Sequence, residues 1–169
     1  IDTAAMLFYQ HGIKSIGINE ILKTSGIAKK TLYRYFESKD ALVLAVLEQR
    51  HTIFIGWLKE VLAGTGSNQD VVIRLFNGLG EWFSDQVDIL GDFRGCFFIN
   101  TAAEYSESTS AISQYCRAHK KQVREVISEQ LIALDEPLLN ILCTLKEGAI
   151  TMAYVSQDRE AAQKCIAML

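Results

Sequence analysis

A short run of basic and aromatic side chains, from Lys23 to Lys39, is the part of this sequence best suited to bind a charged partner. The run holds five Lys or Arg residues against one acid, whereas the whole chain has a net charge of −3. Lys, Arg and Tyr side chains all donate hydrogen bonds to phosphate oxygens. A polyanion contact is one interpretation, and a solvated helix face is the other, because both have this composition.

The excess of positive charge is confined to the N-terminal part of the chain. Residues 1–60 carry eight basic and six acidic side chains, whereas residues 61–169 carry nine basic and fourteen acidic ones. A protein with one basic end and an acidic remainder is expected to meet a polyanion at that end only.

The sequence lacks the common motifs of enzymes. It has no nucleotide-binding glycine pattern, no H-E-x-x-H and no G-x-S-x-G. Cys116 and His119 share a helical face, but a long helix is a poor place for a nucleophile and an oxyanion hole. Glu104 and Glu107 lack a third catalytic group. We therefore predict that the protein is not an enzyme and needs no cofactor.

The four cysteines are far apart and show no C-x-x-C spacing (Cys96, Cys116, Cys143 and Cys165). Neither a metal site nor a disulfide framework is expected from this pattern. Buried free thiols in a reducing cytoplasm are the favoured interpretation.

Three short helices are predicted around the basic run. The first ends at Gly12, and the second lies between Gly17 and Gly26. The third carries Leu32 and Phe36 on its apolar face. Glycine tolerates the positive φ of a tight turn, so Gly26 lets the chain reverse between the second and third helices. Two short helices joined by such a turn predict a helix-turn-helix.

The stretch from Gly26 to Leu42, GIAKKTLYRYFESKDAL, resembles the signature of the tetracycline-repressor (TetR/AcrR) family of bacterial transcriptional regulators. A turn, a Thr-Leu-Tyr core and a Tyr-Phe-x-Ser-Lys exit follow one another in the family's order. The resemblance implies an all-α fold. An N-terminal three-helix DNA-binding head with a helix-turn-helix would be followed by a C-terminal helical bundle for ligand binding and dimerisation.

The resemblance also implies which residues meet DNA. Tyr33 and Lys39 fall at positions that contact phosphates, and Asn19 falls at one that approaches the groove. The implied DNA-binding residues are Asn19, Ala28, Lys29, Lys30, Thr31, Tyr33, Arg34, Tyr35 and Lys39. The chain departs from the family pattern at Ala28, where serine is common, and at Lys30, where a small residue is common.

The remainder of the chain also predicts helices. They span about 38–62, 69–87, 96–105, 112–134 and 135–154, with a last one from about residue 159. We expect a DNA-binding domain, residues 1–40, and an effector-binding and dimerisation domain, residues 41–169. Because apolar periodicity is already present at Ile1, we expect the start of the first helix to be missing. No apolar run approaches the roughly 20 residues of a membrane span, so no membrane partner is predicted.

The long helix that begins after Asp135 is apolar on more than one side, which indicates burial by the chain's own core or by a partner. TetR-like proteins pair through their last long helices, so the resemblance implies an isologous homodimer. Its recognition helices would lie about 34–36 Å apart, one turn of DNA. The candidate interface residues are Leu138, Ile141, Leu142, Leu145, Gly148 and Ala149. An ordinary monomer core is the alternative.

Aromatic residues are abundant after residue 50, and an apolar cavity with a few polar groups is the usual small-molecule site. We expect an unknown small apolar or amphipathic effector. The candidate pocket residues are Trp57, Phe83, Phe97, Asn100, Thr101, Glu104, Tyr115 and His119. Core packing is the alternative for most of them, and the lysines that follow His119 favour a surface position for it.

The residues and the resemblance together predict a ligand-responsive repressor. It would act as a homodimer on a two-fold duplex operator, in the bacterial cytoplasm and associated with the nucleoid. A helical protein-interaction adaptor, or a small-molecule-binding protein without DNA binding, is the alternative. The segment from Lys29 to Lys39 favours the regulator, because an adaptor has no need of a cation-rich helix.

Overall fold

The computed structural model describes residues 1–133 and 135–169, and this part of the chain is all-α. Its α-helices are α1 Asp2–His11, α2 Ile18–Ser25, α3 Lys29–Tyr35, α4 Lys39–Leu62, α5 Asn68–Phe83, α6 Phe97–Glu104, α7 Ala111–Ser128, α8 Glu136–Val155 and α9 Ala161–Ala167. A short 3-10 helix, Asp88–Leu90, follows α5. The predicted all-α fold with an N-terminal helix-turn-helix is confirmed.

The boundaries of most helices follow from local sequence signals. The Ser38 hydroxyl accepts the backbone N–H of Ala41 at 3.1 Å, which caps α4. The Asp135 carboxylate caps α8 in the same way, with Pro137 in the first turn of the helix. Gly12 ends α1 with a φ of 84°. Such a positive φ suits glycine, which has no Cβ.

Two helices end earlier than predicted. α5 stops at Phe83 and not near 87, because Asp85 adopts a φ of 59° and its carboxylate accepts the backbone N–H of Phe93 at 2.6 Å. α7 stops at Ser128, where the next backbone bonds tighten to i→i+3 spacing. The predicted end of that helix, Leu134, lies outside the described residues.

The described residues form two compact units. The head unit comprises Ile1–Thr52 and Cys96–His119, and the body unit comprises Ile53–Gly95 and Lys120–Leu169. The head unit extends beyond residues 1–40 because α6 and the start of α7 pack with the three N-terminal helices. The division of function after residue 40 stays a prediction.

Aromatic rings form the core of the body unit. Trp82 is buried, with its ring centroid 5.0 Å from that of Phe93 and 5.6 Å from that of Phe54. Phe83 and Trp57 complete the cluster, in tilted contact with Trp82. Edge-to-face and tilted pairs of this kind add to the free energy of simple burial. α5, which carries Trp82 and Phe83, packs against α8 and α9.

An ion-pair network crosses from α7 to α8 within the body unit. Glu147 lies 2.8 Å from the Lys120 ammonium and also bonds to Lys146. The side chain of Lys146 is only 3% exposed, so the ion pair with Glu147 offsets part of the cost of burying it. Burial would raise the pKa of the Glu147 carboxyl, but Lys146 and Lys120 outweigh it and lower the pKa.

Among the residues that the structure describes, two helices, α4 and α8, are long and apolar enough to cross a membrane by length and composition alone. No such helix is predicted from the sequence when only uninterrupted apolar runs are considered. α4 nonetheless carries Glu48 and Arg50 near its middle, and α8 carries Lys146 and Glu147 there. Charges at mid-helix are costly in a bilayer, so packing within a protein is the better account of both helices.

Candidate DNA-binding site

The helix-turn-helix is built from α2, a tight turn and α3. Gly26 adopts a left-handed conformation with φ 72° and ψ 4°, and its backbone N–H donates to the carbonyl of Leu22. Ala28 then begins α3 without a side-chain cap, because alanine has no acceptor atom in its side chain. Leu32 is the buried residue of α3 and anchors the helix to the head unit.

The other side chains of α3 are exposed, including three cations. These exposed residues are Lys29, Lys30, Thr31, Tyr33, Arg34 and Tyr35. Ala28 and Asn19 are exposed too, Asn19 on the first turn of α2. A seven-residue helix with one buried side chain contributes little to the core, so its outer face is available to a partner.

Two tyrosines lie under the cations of α3. The Lys29 ammonium is 5.9 Å from the Tyr33 ring centroid, and the Arg34 guanidinium is 5.8 Å from that of Tyr35. Tyr35 is 70% exposed although it is a large aromatic residue. Cation–π contacts limit the motion of these side chains and leave their polar ends in solvent. The face therefore presents hydroxyl and ammonium groups together, the groups that hydrogen-bond to phosphates.

Lys39 differs from the other predicted DNA-binding residues. Its ammonium donates to the backbone carbonyl of Ile13 at 2.6 Å and lies 5.8 Å from the Phe8 ring centroid. Burial lowers the pKa of this ammonium, while Glu104 and Asp40 oppose that shift. Lys39 therefore stabilises the segment after α1, and its contact with a phosphate stays a prediction.

Glu104, predicted as a pocket residue, has a different position in the structure. Its two carboxylate oxygens accept the backbone N–H groups of Ile13 and Lys14, at 2.9 and 2.6 Å. The carboxylate is thus engaged with the segment between α1 and α2. The assignment of Glu104 to an effector pocket stays a prediction.

His119 is buried, and the expectation of a surface position is wrong. Its Nδ1 atom lies 2.9 Å from Nδ1 of His51 on α4, and the Phe98 ring stacks on its imidazole with centroids 3.4 Å apart. Tyr115 contacts His51 edge to face. A hydrogen bond between two Nδ1 atoms requires one ring to donate and the other to accept. Nothing in the sequence pairs His51 with a histidine 68 residues away.

The other predicted pocket residues divide between the two units. Trp57 and Phe83 belong to the aromatic core of the body unit. Phe97, Asn100, Thr101 and Tyr115 belong to the head unit. The Thr101 hydroxyl is buried and has no hydrogen-bond partner among the described residues, as has Trp82 Nε1 in the body unit. A buried polar atom without a partner carries a desolvation penalty.

The predicted interface residues of α8 also divide. Leu142 and Ala149 are buried within the chain, at 0% and 3% exposure, so they are corrected to core residues. Leu138, Ile141, Leu145 and Gly148 are exposed or half-buried. Two residues that the prediction missed, Met152 and Val155, extend the same face and are 47% and 72% exposed. The sequence could have indicated both residues, because they continue the three- and four-residue spacing of Leu145 and Gly148 along one helix face.

A groove of about 230 Å³ runs between α8 and α9. Leu145, Gly148 and Met152 line one side of it, and Cys165 and Met168 line the other. In the part of the chain that the structure describes, the four cysteines form no disulfide bond. Within the described residues, no group of three or more His, Cys, Asp or Glu side chains is placed to hold a metal ion.

A helix-turn-helix with an exposed basic second helix, in an all-α protein, defines a DNA-binding regulator. Residues 1–46 match the family model for bacterial regulatory proteins of the tetR family. The chain is 27% identical over 182 residues to the HTH-type transcriptional repressor NemR of Escherichia coli (strain K12), covering 99% of this chain and 88% of NemR.

Solved structures of regulators have the same fold. A TetR-family transcriptional regulator from Streptomyces coelicolor superposes with a TM-score of 0.82 at 25% identity, covering 98% of this chain and 87% of the other. The reduced form of E. coli NemR gives a TM-score of 0.80 at 26% identity, covering 99% and 91%. A cysteine mutant of the TetR-family regulator CifR, complexed with 26-bp operator DNA, gives 0.79 at 18% identity, covering 99% and 91%.

These matches cover the whole length of the chain and not its N-terminal helices alone. Residues 1–46 thus form a DNA-binding region of the tetR family, and the chain is a DNA-binding transcriptional regulator that is similar to TetR-family regulators over its whole length. Its relatives are transcriptional regulators, in line with the absence of enzyme motifs from the sequence.

Proposed function

We propose that the protein is a repressor that binds a two-fold operator as a homodimer and releases it when a small apolar or amphipathic molecule binds. It acts in the bacterial cytoplasm, on the DNA of the nucleoid. The observation that carries the proposal is the outer face of α3, where every side chain except that of Leu32 is exposed and three are cationic. The names of the relatives, which include a repressor, support the direction of regulation.

The contacts with DNA divide by type. Tyr33, Tyr35 and Arg34 bind phosphates and fix the register of α3 in the major groove. Lys29, Lys30 and Thr31 lie at the start of the helix and reach base edges, where lysine pairs with guanine. Asn19 of α2 approaches the same groove. CifR, a structural neighbour of the same fold, was solved with operator DNA, which supports this mode of docking.

The exposed apolar face of α8 supports pairing with a second copy. Ile141, Leu145, Gly148, Met152 and Val155 recur at steps of four and three, so they share one face of the helix. Exposed apolar residues that form a continuous stripe mark an interface. The absence of a side chain at Gly148 allows a partner helix to approach closely.

The effector would be recognised by aromatic rings together with a buried donor. The Thr101 hydroxyl and Trp82 Nε1 are the buried polar atoms without a described partner, and an effector oxygen would satisfy either one. Binding shifts the population toward a state whose heads are wrongly spaced for the operator. A fluorescence titration with 1-anilinonaphthalene-8-sulfonate, repeated on Thr101→Val and Trp82→Phe, identifies which donor is used.

Selection of bound sequences from a random duplex pool tests the proposal directly. A two-fold repeated sequence is the expected result, because a symmetric dimer reads two equal half-sites. Enrichment of no sequence, or of a single half-site only, contradicts the homodimeric repressor.

Tyr33 variants separate hydroxyl contacts from ring contacts at the selected operator. We expect Tyr33→Phe and Tyr33→Ala to weaken binding equally, by about tenfold, for every sequence tested. Tyr33→Phe keeps the ring below Lys29, so it is the matched control for packing. Full affinity in both variants would remove Tyr33 from the site.

A further inference from the structure

The end of α6 holds the chain segment that connects α1 to α2. Glu104 is the last residue of α6, and its two carboxylate oxygens each accept one backbone N–H, from Ile13 at 2.9 Å and from Lys14 at 2.6 Å. The bonded groups are 90 and 91 residues apart in sequence. Bonds from N–H groups to an ionised carboxylate are about twice as strong as neutral ones.

The peptide groups around Ile13 are held from both sides. Glu104 accepts the N–H of Ile13, and the Lys39 ammonium at the start of α4 donates to its carbonyl at 2.6 Å. The Ile13 side chain is fully buried at 0% exposure. This residue is therefore fixed by two charged side chains and by packing, although it lies in a connection between helices.

Tyr105, the next residue, extends the contact to two more places in the head unit. Its hydroxyl donates to the Asp40 carboxylate at 3.1 Å, in the first turn of α4, and its ring lies 5.7 Å from the Lys14 ammonium. Burial and the nearby Asp40 raise the pKa of the Tyr105 phenol, so the hydroxyl keeps its proton. Ser113 in turn donates to the Tyr105 carbonyl at 2.7 Å.

These contacts lie at the two chain ends of the helix-turn-helix. α2 starts at Ile18, four residues after Lys14, and α3 ends at Tyr35, four residues before Lys39. We propose that Glu104 is a positioning residue for DNA binding, because its carboxylate fixes the segment from which α2 and α3 depart. The inference rests on the operator binding proposed above.

The geometry requires a carboxylate at this position. Two adjacent N–H groups need two acceptor oxygens, and a glutamine offers one acceptor and a donor that faces the second N–H. Aspartate is one methylene shorter. A helix on a loosely held segment still binds DNA, but its apparent affinity falls with the fraction of molecules in the competent position.

Three variants of the full chain test the inference against the operator selected for the unmodified protein. We expect Glu104→Gln to weaken operator binding about tenfold and Glu104→Ala more, since one or two charge-assisted bonds are lost. Glu107→Gln is the matched control, because it removes the same charge three residues further along the chain. The Glu107 side chain is exposed and accepts a hydrogen bond from Thr109 within the same loop. The control is expected to bind within about twofold.

Two further measurements distinguish positioning from general stability. Amide hydrogen exchange of Ile13 and Lys14 is expected to accelerate in Glu104→Gln while the amides of α5 and α8 keep their protection. The slope of log affinity against log salt is expected to stay as in the unmodified protein, because no phosphate contact is removed. A lost contact of Glu104 with DNA or with its counterions would change that slope.

Each result decides the inference. Faster exchange at Ile13 and Lys14 with unchanged operator affinity overturns it, and so does unchanged exchange. Faster exchange across the whole chain means a general stability role and overturns it as well. Should the unmodified protein select no operator, the proposed function fails, whereas the exchange experiment still reports whether Glu104 holds the segment.

Discussion

Helices α3 and α8 both carry exposed side chains, but of opposite chemistry. α3 has one buried residue, and its exposed face combines three cations with two tyrosines. α8 buries six residues, yet Ile141, Met152 and Val155 remain exposed. Exposed cations suit a polyanion, whereas an exposed apolar stripe suits another protein surface. The difference matches the two partners proposed above, DNA at α3 and a second copy of the chain at α8.

Lysines illustrate the same contrast between the units. Lys30 on α3 is exposed, whereas Lys146 on the core face of α8 is buried and paired with Glu147. The free energy of a buried charge depends on its partner, and the charge of an exposed lysine remains available to attract phosphates. Residue type alone therefore does not assign a lysine to DNA binding.

The largest expected effect separates two neighbouring residues of α8. Leu142→Ala is expected to reduce the free energy of unfolding by about 2–5 kcal/mol, because it leaves a cavity at a fully buried site. Ile141→Ala, next along the chain at an exposed position, is expected to cost much less in the isolated chain. Urea unfolding at low protein concentration measures both, and equal losses would place Ile141 in the core.

A charge on the exposed face of α8 tests the role of that face in pairing. Met152→Glu is expected to yield monomers and to weaken operator binding about a hundredfold, since a buried unpaired charge is costly at an interface. Asn140→Glu is the control, on an exposed polar position of the same helix. Analytical ultracentrifugation gives the mass, and a dimeric Met152→Glu would move the interface elsewhere.

Removal of one cation from α3 tests the other half of the comparison. Lys30→Ala is expected to weaken operator binding about tenfold and to alter the preferred base at one position in each half-site. Lys59→Ala removes the same charge from an exposed position of the body unit. Fluorescence anisotropy across an operator series measures both, and equal losses in the two variants would mean that only net charge matters.

Acid unfolding tests the buried lysine pair and has the smallest expected effect. Lys146 and Lys120 lower the pKa of Glu147 below its ordinary value of 4.5, so the folded state favours the carboxylate. The stabilisation is present above that ordinary value and is lost as pH falls through the lowered one. Glu147→Gln, expected to cost about 1 kcal/mol at neutral pH, should converge with the unmodified protein once the pH is below the lowered pKa of Glu147. Urea midpoints that stay equally far apart in acid would contradict this account.

The N-terminal helices could be predicted closely because their signals are local. Gly12 and Gly26 end helices at positive φ, and Ser38 caps α4 through its own hydroxyl. The outward face of α3 follows from the single apolar position of Leu32. Such features depend on residues within one or two turns, which the sequence places side by side.

The predicted effector site could not be read in this way. Glu104 and Thr101 are one turn apart on α6, yet Glu104 bonds to the α1–α2 segment and Thr101 is buried without a partner. His119 pairs with His51 across 68 residues of chain. Contacts between distant segments depend on how helices pack, and amphipathic periodicity says only which face turns inward.

Local patterns in the sequence determined that this protein is helical and that the chain turns between α2 and α3. They also determined that this N-terminal region carries an excess of positive charge. Tertiary structure alone decided which polar side chains bond within the protein. Glu104, Lys39 and His119 acquire their hydrogen-bond partners only when segments distant in sequence come together. The physical reason is range: caps, turns and periodicity act within a few residues, whereas hydrogen bonds and burial act between any groups that folding brings together.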